Sequence, residues 1–407
     1  MNRHRIACGM IWLLGLACGP VAAADTPSAI LGRWDLMLEK GTWRASWLSV
    51  EMKDGKLIGN FCGTAGGVGK VDDLKFEEGK LSFRRGDRYE AKVTGDDMIG
   101  EIIREDGRIR FTGKRFIYRP DIDGTWDMTA PGARAGAGEG DKSTLVLRSD
   151  GKTITGTLTG PRGRAVEIRD AALDGKSLSF SVKRRGRDGA DRVVTYTGEV
   201  RGDKIVGTFA GPRGQQRREW SATRQRQWGE PIRLFNGKDL TGWKLVEDQE
   251  GFGNWKAQNG ELVNTDRGPN IRTVETFKDF KLHLEFNLPE HGNSGVYLRG
   301  RYEVQVAADY GQPPSPGGCG AIYSRFVPSI NASKPAGEWQ TYDITLIGQF
   351  VTVVHNGKTL CENLELEGIT GGAIDSYEHE PGPIYLQGDH SAVRYRNIVL
   401  TPARPAK

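Results

Sequence analysis

The sequence predicts an all-β protein, and three observations carry that prediction. The 407 residues include 56 glycines, as expected of short strands joined by tight turns. Few segments show a helical period, whereas many alternate apolar and polar residues with the period of two that is typical of strands. Asp-Gly and Gly-Asp turn signals recur roughly every 8 to 12 residues, as in a sandwich or barrel. The length predicts two or three domains.

The first segment has the features of a secretory signal peptide, which we assign to residues 1–24. Basic residues precede an apolar run over residues 6–17, and small residues stand before Asp25, where we expect cleavage. Gly15 occupies the place where a lipobox has an aliphatic residue, which disfavours a lipoprotein. No later segment is long and apolar enough for a membrane span. We therefore expect a periplasmic or secreted protein.

Two related antiparallel β units are predicted over residues 25–120 and 121–226. The sequence Gly-Arg-Trp-Asp at residues 32–35 recurs as Gly-Thr-Trp-Asp at residues 124–127. Each copy closes on an aromatic residue followed by an arginine, Arg115 in the first and Arg224 in the second. Because self-similarity at a fixed spacing indicates copies of one structural design, we expect each unit to bury its tryptophan. The sequence assigns the repeats no task.

Charge and histidine are unevenly distributed along the chain. Residues 25–228 carry 38 Lys and Arg against 30 Asp and Glu, and residues 229–407 carry 17 against 22. The basic part lacks the interleaved aromatic residues of proteins that bind single-stranded nucleic acid. Export from the cell also argues against a nucleic-acid partner. All five histidines beyond the signal peptide lie in the second part. Since histidine is the commonest acid, base and metal ligand, chemistry is expected there.

The segment over residues 231–402 shows the sharpest alternation. Val304 and Val306 alternate with Glu303 and Gln305, so one face of this strand is apolar and the other polar. In a two-sheet sandwich such a polar face is the usual place for a carbohydrate site. Carboxylates, amides and guanidinium groups, which bind sugar hydroxyls and carbonyls, stand at Glu285, Arg299, Glu303, Gln305, Gln387, Arg394 and Arg396. Cross-strand salt bridges on a solvated sheet are the alternative interpretation.

A series of motifs in this segment resembles one bacterial family. The motifs are Leu-Phe-Asn-Gly-Lys-Asp-Leu-Thr-Gly-Trp at 234–243, Asn-Ser-Gly-Val-Tyr-Leu-Arg at 293–299, Tyr-Glu-Val-Gln at 302–305, Gly-Ala-Ile-Tyr at 320–323, Pro-Ala-Gly-Glu-Trp at 335–339, Pro-Ile-Tyr-Leu-Gln at 383–387 and Arg-Asn-Ile at 396–398. Over residues 232–402 they follow the order of the 3-keto-disaccharide hydrolases, also described as 3-keto-glucoside 1,2-lyases and 3-keto-2-hydroxy-glucal hydratases. The resemblance implies a concanavalin-like jelly-roll sandwich for residues 231–402.

The resemblance also implies an exported enzyme that cleaves 3-keto-glycosides. A base removes the C2 proton, the C1 substituent leaves, and the resulting glucal is hydrated, with net hydrolysis as the outcome of both steps. Glu303 or Glu285 is the expected base, with His283 and His355 as alternatives, and Arg299 or Arg396 would stabilise the oxyanion. Further substrate contacts are expected from Asn293, Ser294, Gln305, Tyr323, Glu338, Trp339, Gln387 and Arg396. No cofactor is predicted with certainty, and a divalent metal stays open because no His, Asp or Glu spacing identifies a site.

Two other functions stay open at this point. The same fold serves lectins, so a carbohydrate-binding protein without catalysis is one alternative. A glycoside hydrolase that uses a pair of carboxylates on unoxidised sugars is the other. Turnover of plain and 3-keto glycosides, with and without a divalent metal, distinguishes the three.

Overall fold

The structure, a computed structural model, describes residues 27–41, 44–129, 143–186, 189–210, 217–247 and 251–404. The signal peptide assigned to residues 1–24 lies outside these residues. Apart from a single 3-10 turn at Pro27–Ile30, the described elements are β-strands, which confirms the all-β prediction. None of the described segments forms a helix of sufficient length and apolarity to cross a membrane.

The first β unit is one antiparallel sheet of nine strands, ordered β4-β3-β2-β1-β9-β8-β7-β6-β5. Its strands are β1 (Gly32–Leu38), β2 (Ala45–Lys53), β3 (Lys56–Cys62), β4 (Val68–Lys70), β5 (Asp72–Glu77), β6 (Lys80–Arg85), β7 (Asp87–Thr94), β8 (Asp97–Arg104) and β9 (Gly107–Arg115). The tryptophan strand β1 pairs with both β2 and β9, so the first and last long strands meet.

The second β unit is a closed antiparallel barrel. Its strands are β10 (Gly124–Thr129), β11 (Ser143–Ser149), β12 (Ile154–Thr159), β13 (Ala165–Asp174), β14 (Ser177–Arg185), β15 (Asp191–Arg201), β16 (Lys204–Ala210) and β17 (Arg217–Arg224). Pairing of β10 with β17 closes the barrel, as pairing of β1 with β9 joins the ends of the first unit.

The repeated tryptophans have the same environment in both units. Trp34 and Trp126 are fully buried. Each indole Nε1 donates to the carbonyl oxygen four residues earlier, at 2.8 Å and 3.0 Å. The closing arginine of each unit lies over the ring, with Arg115 4.3 Å and Arg224 4.6 Å from the ring centroids. The sequence repeat therefore corresponds to a repeated tryptophan–arginine contact where the strands meet.

The remaining strands form a two-sheet sandwich. The larger sheet has the order β20-β21-β30-β23-β26-β27-β28, with β18 paired to β30, and contains β18 (Ile232–Arg233), β20 (Trp255–Gln258), β21 (Glu261–Asn264), β23 (Phe280–Asn287), β26 (Gln340–Ile347), β27 (Phe350–His355), β28 (Lys358–Glu365) and β30 (Val393–Pro402). The smaller sheet has the order β19-β22-β29-β24-β25 and contains β19 (Trp243–Leu245), β22 (Ile271–Thr273), β24 (Asn293–Leu298), β25 (Tyr302–Ala307) and β29 (Tyr385–Leu386).

The apolar faces of the two sheets enclose the main core. Leu282 and Leu284 of β23 belong to the same buried cluster as Val304 and Val306 of β25. Their polar neighbours therefore point away from the core, as a period of two requires. The predicted jelly-roll sandwich is confirmed.

The first unit packs on the sandwich through an apolar contact. Ala45, Trp47 and Cys62 form one buried cluster with Ile369 and Ala373. The second unit contacts the sandwich through ion pairs instead, among them Lys176 with Glu365, Lys204 with Glu362 and Arg226 with Asp279. The pairs of Lys176 and Lys204 are partly exposed and contribute only about 0–1 kcal/mol each, whereas Arg226 and Asp279 are both largely buried.

Candidate functional site

A cavity of about 290 Å³ lies over the outer face of the smaller sheet. Strands β24, β25 and β29 contribute its floor, and the connections around them contribute its walls. Its lining residues are Ala65, Gly66, Asn293, Tyr297, Glu303, Gln305, Tyr323, Gly371, Gly372, Tyr385, Gln387, Asp389 and His390. The titratable groups, amides and aromatic rings of this lining make the cavity a candidate active site.

Alternation along β25 places Glu303 and Gln305 side by side on this face. In the register of the pair, Gly295 of β24 stands opposite Gln305. A Cβ atom at Gly295 would lie 2.3 Å from Glu303 Oε1, a separation that no real contact allows. A glycine is therefore required on β24 for the Glu303 carboxyl to fold against the sheet.

Burial controls the acidity of Glu303. The residue is only 3% exposed, and burial raises the pKa of its carboxyl to about 8, because the charged form loses its hydration. A hydrogen bond from Tyr297 and the positive potential of His390 act in the opposite direction without cancelling the effect. The carboxyl thus exchanges its proton near neutral pH, as a general base or acid must.

Tyr297 links this carboxyl to the loop above it. Its hydroxyl lies 2.9 Å from Glu303 Oε2 and 2.9 Å from the carbonyl oxygen of Gly371, and its ring stacks on Tyr385. A hydroxyl has one proton, and a carbonyl can only accept. When Glu303 is neutral it can donate to Tyr297, which then donates to Gly371; when Glu303 is ionised, Tyr297 donates to it.

Asp389 and His390 form an ion pair at the edge of the cavity. The distance from His390 Nδ1 to Asp389 Oδ1 is 2.6 Å. This hydrogen bond raises the pKa of His390, against the effect of its partial burial. Burial alone would raise the pKa of Asp389, but the hydrogen bond to His390 lowers it. The pair places an imidazole whose pKa is raised on the same cavity as a carboxyl whose pKa is raised.

Two of the residues that line the cavity have a buried amide oxygen without a partner among the described residues. Gln305 Nε2 donates to Asn293 Oδ1 at 2.7 Å, which fixes the orientation of both amides. The Oε1 atoms of Gln305 and Gln387 are buried, and neither has a hydrogen-bond partner in the described part of the chain. A buried acceptor without a donor is costly.

The cavity gathers five of the residues predicted from the sequence. They are Asn293, Glu303, Gln305, Tyr323 and Gln387. The other predicted residues lie in three different places.

Arg299 does not share a face with Glu303, contrary to expectation. Strand β24 ends at Leu298, and Arg299 has a φ of +55° in the turn that follows, so alternation stops before it. Its Nη2 donates to the carbonyl of Gly348, and it lines a separate small cavity with Glu378. Arg299 is thus not among the residues that line the cavity of Glu303.

Glu285 and Arg396 lie on the outer face of the larger sheet. Arg396 Nε donates to Glu285 at 2.7 Å, and Asn397 donates to the other carboxylate oxygen at 2.6 Å. Burial would raise the pKa of Glu285, but these hydrogen bonds lower it. Alternation predicted their polar face correctly but could not tell which sheet carries it. The cross-strand salt bridge, our alternative interpretation, describes this pair.

The remaining predicted substrate contacts lie away from the cavity. Trp339 lies under the guanidinium of Arg396, 4.0 Å from the ring centroid, and Glu338 beside it is exposed. The Ser294 hydroxyl is buried and donates to the carbonyl of Gln387. None of these three side chains lines the cavity.

Neither alternative histidine lies at the cavity. His283 pairs with Asp343 at 2.7 Å on the larger sheet. His355 is fully buried beside Gln340, and burial lowers its pKa to about 4. Both are explained by their structural contacts.

Sequence reasoning missed Asp389 and His390, and it missed Ala65 and Gly66. The adjacent Asp and His directly follow Gln387, and that proximity is the one signal that could have identified them. Ala65 and Gly66 belong to the first β unit, more than two hundred residues away, and no local pattern points to them. Within the described ranges, no group of three or more His, Cys, Asp or Glu residues is arranged to hold a metal ion.

Comparison with known proteins identifies one family and several similar structures. Residues 230–401 match the 3-keto-alpha-glucoside-1,2-lyase-like domain. A candidate glycosyl hydrolase from Parabacteroides distasonis is 31% identical, over 43% of this chain and 89% of that one, with a TM-score of 0.36. Another from the same organism is 26% identical, over 42% and 98%, with a TM-score of 0.34. A laminarinase from Flavobacterium is 11% identical, over 44% and 100%, with a TM-score of 0.28. No curated protein sequence matches the chain.

The raised pKa of Glu303 predicts how its replacement changes stability with pH. Between about pH 4.5 and pH 8 the folded protein keeps a proton that the unfolded chain loses, so the Glu303 contribution to stability falls as pH rises. Glu303→Gln cannot ionise. Its melting temperature should match that of the wild type near pH 4 and exceed it increasingly up to pH 8, as measured by calorimetry at a series of pH values.

Glu285→Gln is the matched control, because hydrogen bonds lower the pKa of that carboxyl. It should be destabilised at neutral pH, and the loss should shrink as pH falls below about 4.5. A stability difference for Glu303→Gln that is independent of pH would contradict the assignment of Glu303 as a buried, mostly neutral acid.

Proposed function

Residues 230–401 belong to the family of 3-keto-alpha-glucoside-1,2-lyase-like domains, and on that premise we propose that this protein cleaves 3-keto-glycosides with Glu303 as the base. Family membership places the chain among carbohydrate-active enzymes. The observation that carries the finer proposal is a fully buried carboxyl, with its pKa raised to about 8, on the floor of the family domain's cavity.

The keto group makes this reaction accessible to one carboxylate. The C2 hydrogen is α to the C3 carbonyl, so ionised Glu303 takes that proton and the electron pair passes into an enolate on O3. The enolate then reforms the ketone and expels the C1 substituent, leaving a C1–C2 double bond. Addition of water across that bond, with the proton returned to C2, completes net hydrolysis.

His390 is placed to serve the leaving group. In its protonated form, which the hydrogen bond with Asp389 favours, it can donate a proton to the departing C1 oxygen. Its positive charge would also stabilise the enolate that precedes departure. The products are a neutral alcohol and a neutral imidazole, which regains its proton from solvent or from the water that hydrates the glucal.

The amide oxygens of Gln305 and Gln387 support sugar recognition. Both are buried, neither has a donor in the described part of the chain, and hydroxyl groups of a hexose ring are suitable donors. Tyr297 and Tyr385 stack with centroids 4.2 Å apart and add an aromatic surface to the floor. These groups orient the ring, while Glu303 performs the proton transfer.

Hydrolysis of unoxidised glycosides is the second candidate, and one observation favours it. Glu303 has a raised pKa and Asp389 a lowered one, and both line the same cavity. This division between two carboxyls is what an acid and an ionised partner require in glycosidases. Asp389 is already bound to His390, however, which favours its role as the group that keeps His390 protonated.

A substrate panel separates these functions. The full-length protein is incubated with matched plain and 3-keto-glucosides, with and without a divalent metal, and the released alcohol is measured. Release from the 3-keto compounds supports the proposal. Preferential release from the plain glucosides supports the carboxylate-pair hydrolase, and binding of either compound without release supports a lectin.

Glu303→Gln should lower turnover of the 3-keto-glucoside by about 10² to 10⁴-fold, because the amide keeps the shape but cannot accept a proton. In the wild type, kcat/KM should rise with pH up to about 8, since the base must be ionised. The variant should lack this rise. Turnover near the wild-type rate in Glu303→Gln would remove Glu303 as the base.

His390→Gln should slow release most for substrates with poor leaving groups. Nitrophenolate is a weak base and leaves without protonation, whereas an alkoxide is a strong base and needs the imidazole proton to leave as the alcohol. We expect the alkyl 3-keto-glucoside to lose about 10-fold more activity than the nitrophenyl compound. His283→Gln, which removes a histidine–aspartate pair of similar length outside the cavity, is the control. Equal losses for both substrates would contradict a general-acid role.

A further inference from the structure

The first β unit contributes directly to the cavity, although it lies outside the family domain. Ala65 and Gly66 line the cavity opposite the sandwich strands. They belong to residues 63–67, which connect β3 to the short strand β4. The inference below rests on the proposed function for its kinetic test, but its structural part does not.

This connection is anchored to the sandwich on two sides of the cavity. Gly372 N–H donates to the carbonyl of Thr64 at 3.0 Å, and Val68 N–H donates to the hydroxyl of Ser324 at 2.9 Å. The backbones also approach closely, since a Cβ atom at Gly371 would lie 2.3 Å from the carbonyl oxygen of Gly66. The segment is therefore a fixed part of the wall.

Trp47 of the same unit supports the loop that carries Gly371. Its indole Nε1 donates to the carbonyl of Ile369 at 2.9 Å, and Arg325 of the sandwich lies over its ring at 4.3 Å. Residues 369–372 are thus bound at one end by Trp47 and at the other by Thr64. The carbonyl of Gly371, between these points, contacts the Tyr297 hydroxyl that contacts Glu303.

Comparison of the two β units shows that this feature is specific to the first. In the barrel, the third strand β12 is joined to β13 by residues 160–164, which form a tight turn with a Gly163 N–H to Gly160 carbonyl bond. In the first unit, the third strand β3 is joined to β5 by residues 63–71, including β4. Only the unit that reaches the cavity has the longer connection.

We propose that the first β unit is a working part of the active site. Ala65 and Gly66 wall the cavity on one side, and Trp47 with Thr64 holds residues 369–372 so that Tyr297 is positioned against Glu303. At about 290 Å³ the cavity lies at the lower limit of small-molecule sites. The substrate class is therefore a small 3-keto-glycoside or the oxidised end of a chain, with one ring in the cavity.

The positioning role is tested with Trp47→Phe in the full-length protein. Trp34→Phe is the matched control, because it removes an equivalent buried indole hydrogen bond in the same unit, away from the cavity. For Trp47→Phe we expect about a 10-fold or greater loss of kcat with KM changed less, because small misplacements of catalytic groups cost rate. Trp34→Phe should keep kcat within about twofold.

Hydrogen exchange gives a readout that does not depend on activity. The Gly372 amide should exchange faster in Trp47→Phe and at the wild-type rate in Trp34→Phe, because only the first variant frees residues 369–372. Equal exchange and equal kcat in the two variants would overturn the positioning role. If the wild-type protein turned over no 3-keto-glycoside, only the proposed function would be refuted. The exchange data would still show whether Trp47 holds residues 369–372 in place.

The wall is tested with Ala65→Trp, which adds bulk at an exposed position on the cavity rim. We expect KM for a 3-keto-disaccharide to rise about 10-fold, with a smaller rise for a methyl 3-keto-glucoside. Val193→Trp, at an exposed position of the barrel, is the control and should match the wild type. Unchanged KM for both substrates in Ala65→Trp would overturn the assignment of Ala65 and Gly66 as a wall.

Discussion

The burial of one carboxyl group, that of Glu303, sets the requirements for the rest of the site. An ionised carboxylate is expensive to remove from water, so the group remains neutral until the pH approaches 8. That burial needs close backbone approach on two sides, and glycines provide it. Gly295 leaves room beneath the carboxyl, and at Gly372 a Cβ atom would lie 2.6 Å from the hydroxyl of Tyr297. The same enclosure that removes water from Glu303 therefore gives it a pKa suited to proton transfer.

The enclosure depends on the first β unit because the sandwich alone does not supply all the walls. A second connection runs beside the first: Arg33 of β1 binds the buried carboxylate of Glu378, which also accepts a hydrogen bond at 2.7 Å from Tyr302. Tyr302 directly precedes Glu303 in β25. The first unit is thus connected to Glu303 by two chains of contacts, one through Glu378 and Tyr302 of β25 and the other through residues 369–372. None of the described residues of the barrel lines the cavity, and its ion pairs with the sandwich through Lys176 and Lys204 are partly exposed.

Much of the fold and the floor of the site could be predicted from the sequence, because both follow from local patterns. Alternation identified Glu303, Gln305 and Gln387 as neighbours on a polar sheet face. It failed for Arg299, where a positive φ ends the strand, and for Glu285, because a period of two does not say which sheet carries the residue. His390 lies in a loop without a period. The position of Ala65 at the cavity could not be predicted from the sequence, because it depends on how the first β unit packs on the sandwich.

The two β units share one structural contact and differ in one connection, and in the part of the chain that the structure describes only the unit with the longer connection lines the cavity. Their shared element is the tryptophan under an arginine where the strands meet, and that contact is retained in both. The difference lies in one connection, a tight turn at residues 160–164 in the barrel and a longer segment at residues 63–71 in the first unit. Strand pairing does not constrain such connections strongly, so one can lengthen without loss of the core. Because its backbone then supplies the hydrogen bonds to Gly372 and Ser324, the segment contributes a wall without needing any reactive side chain of its own.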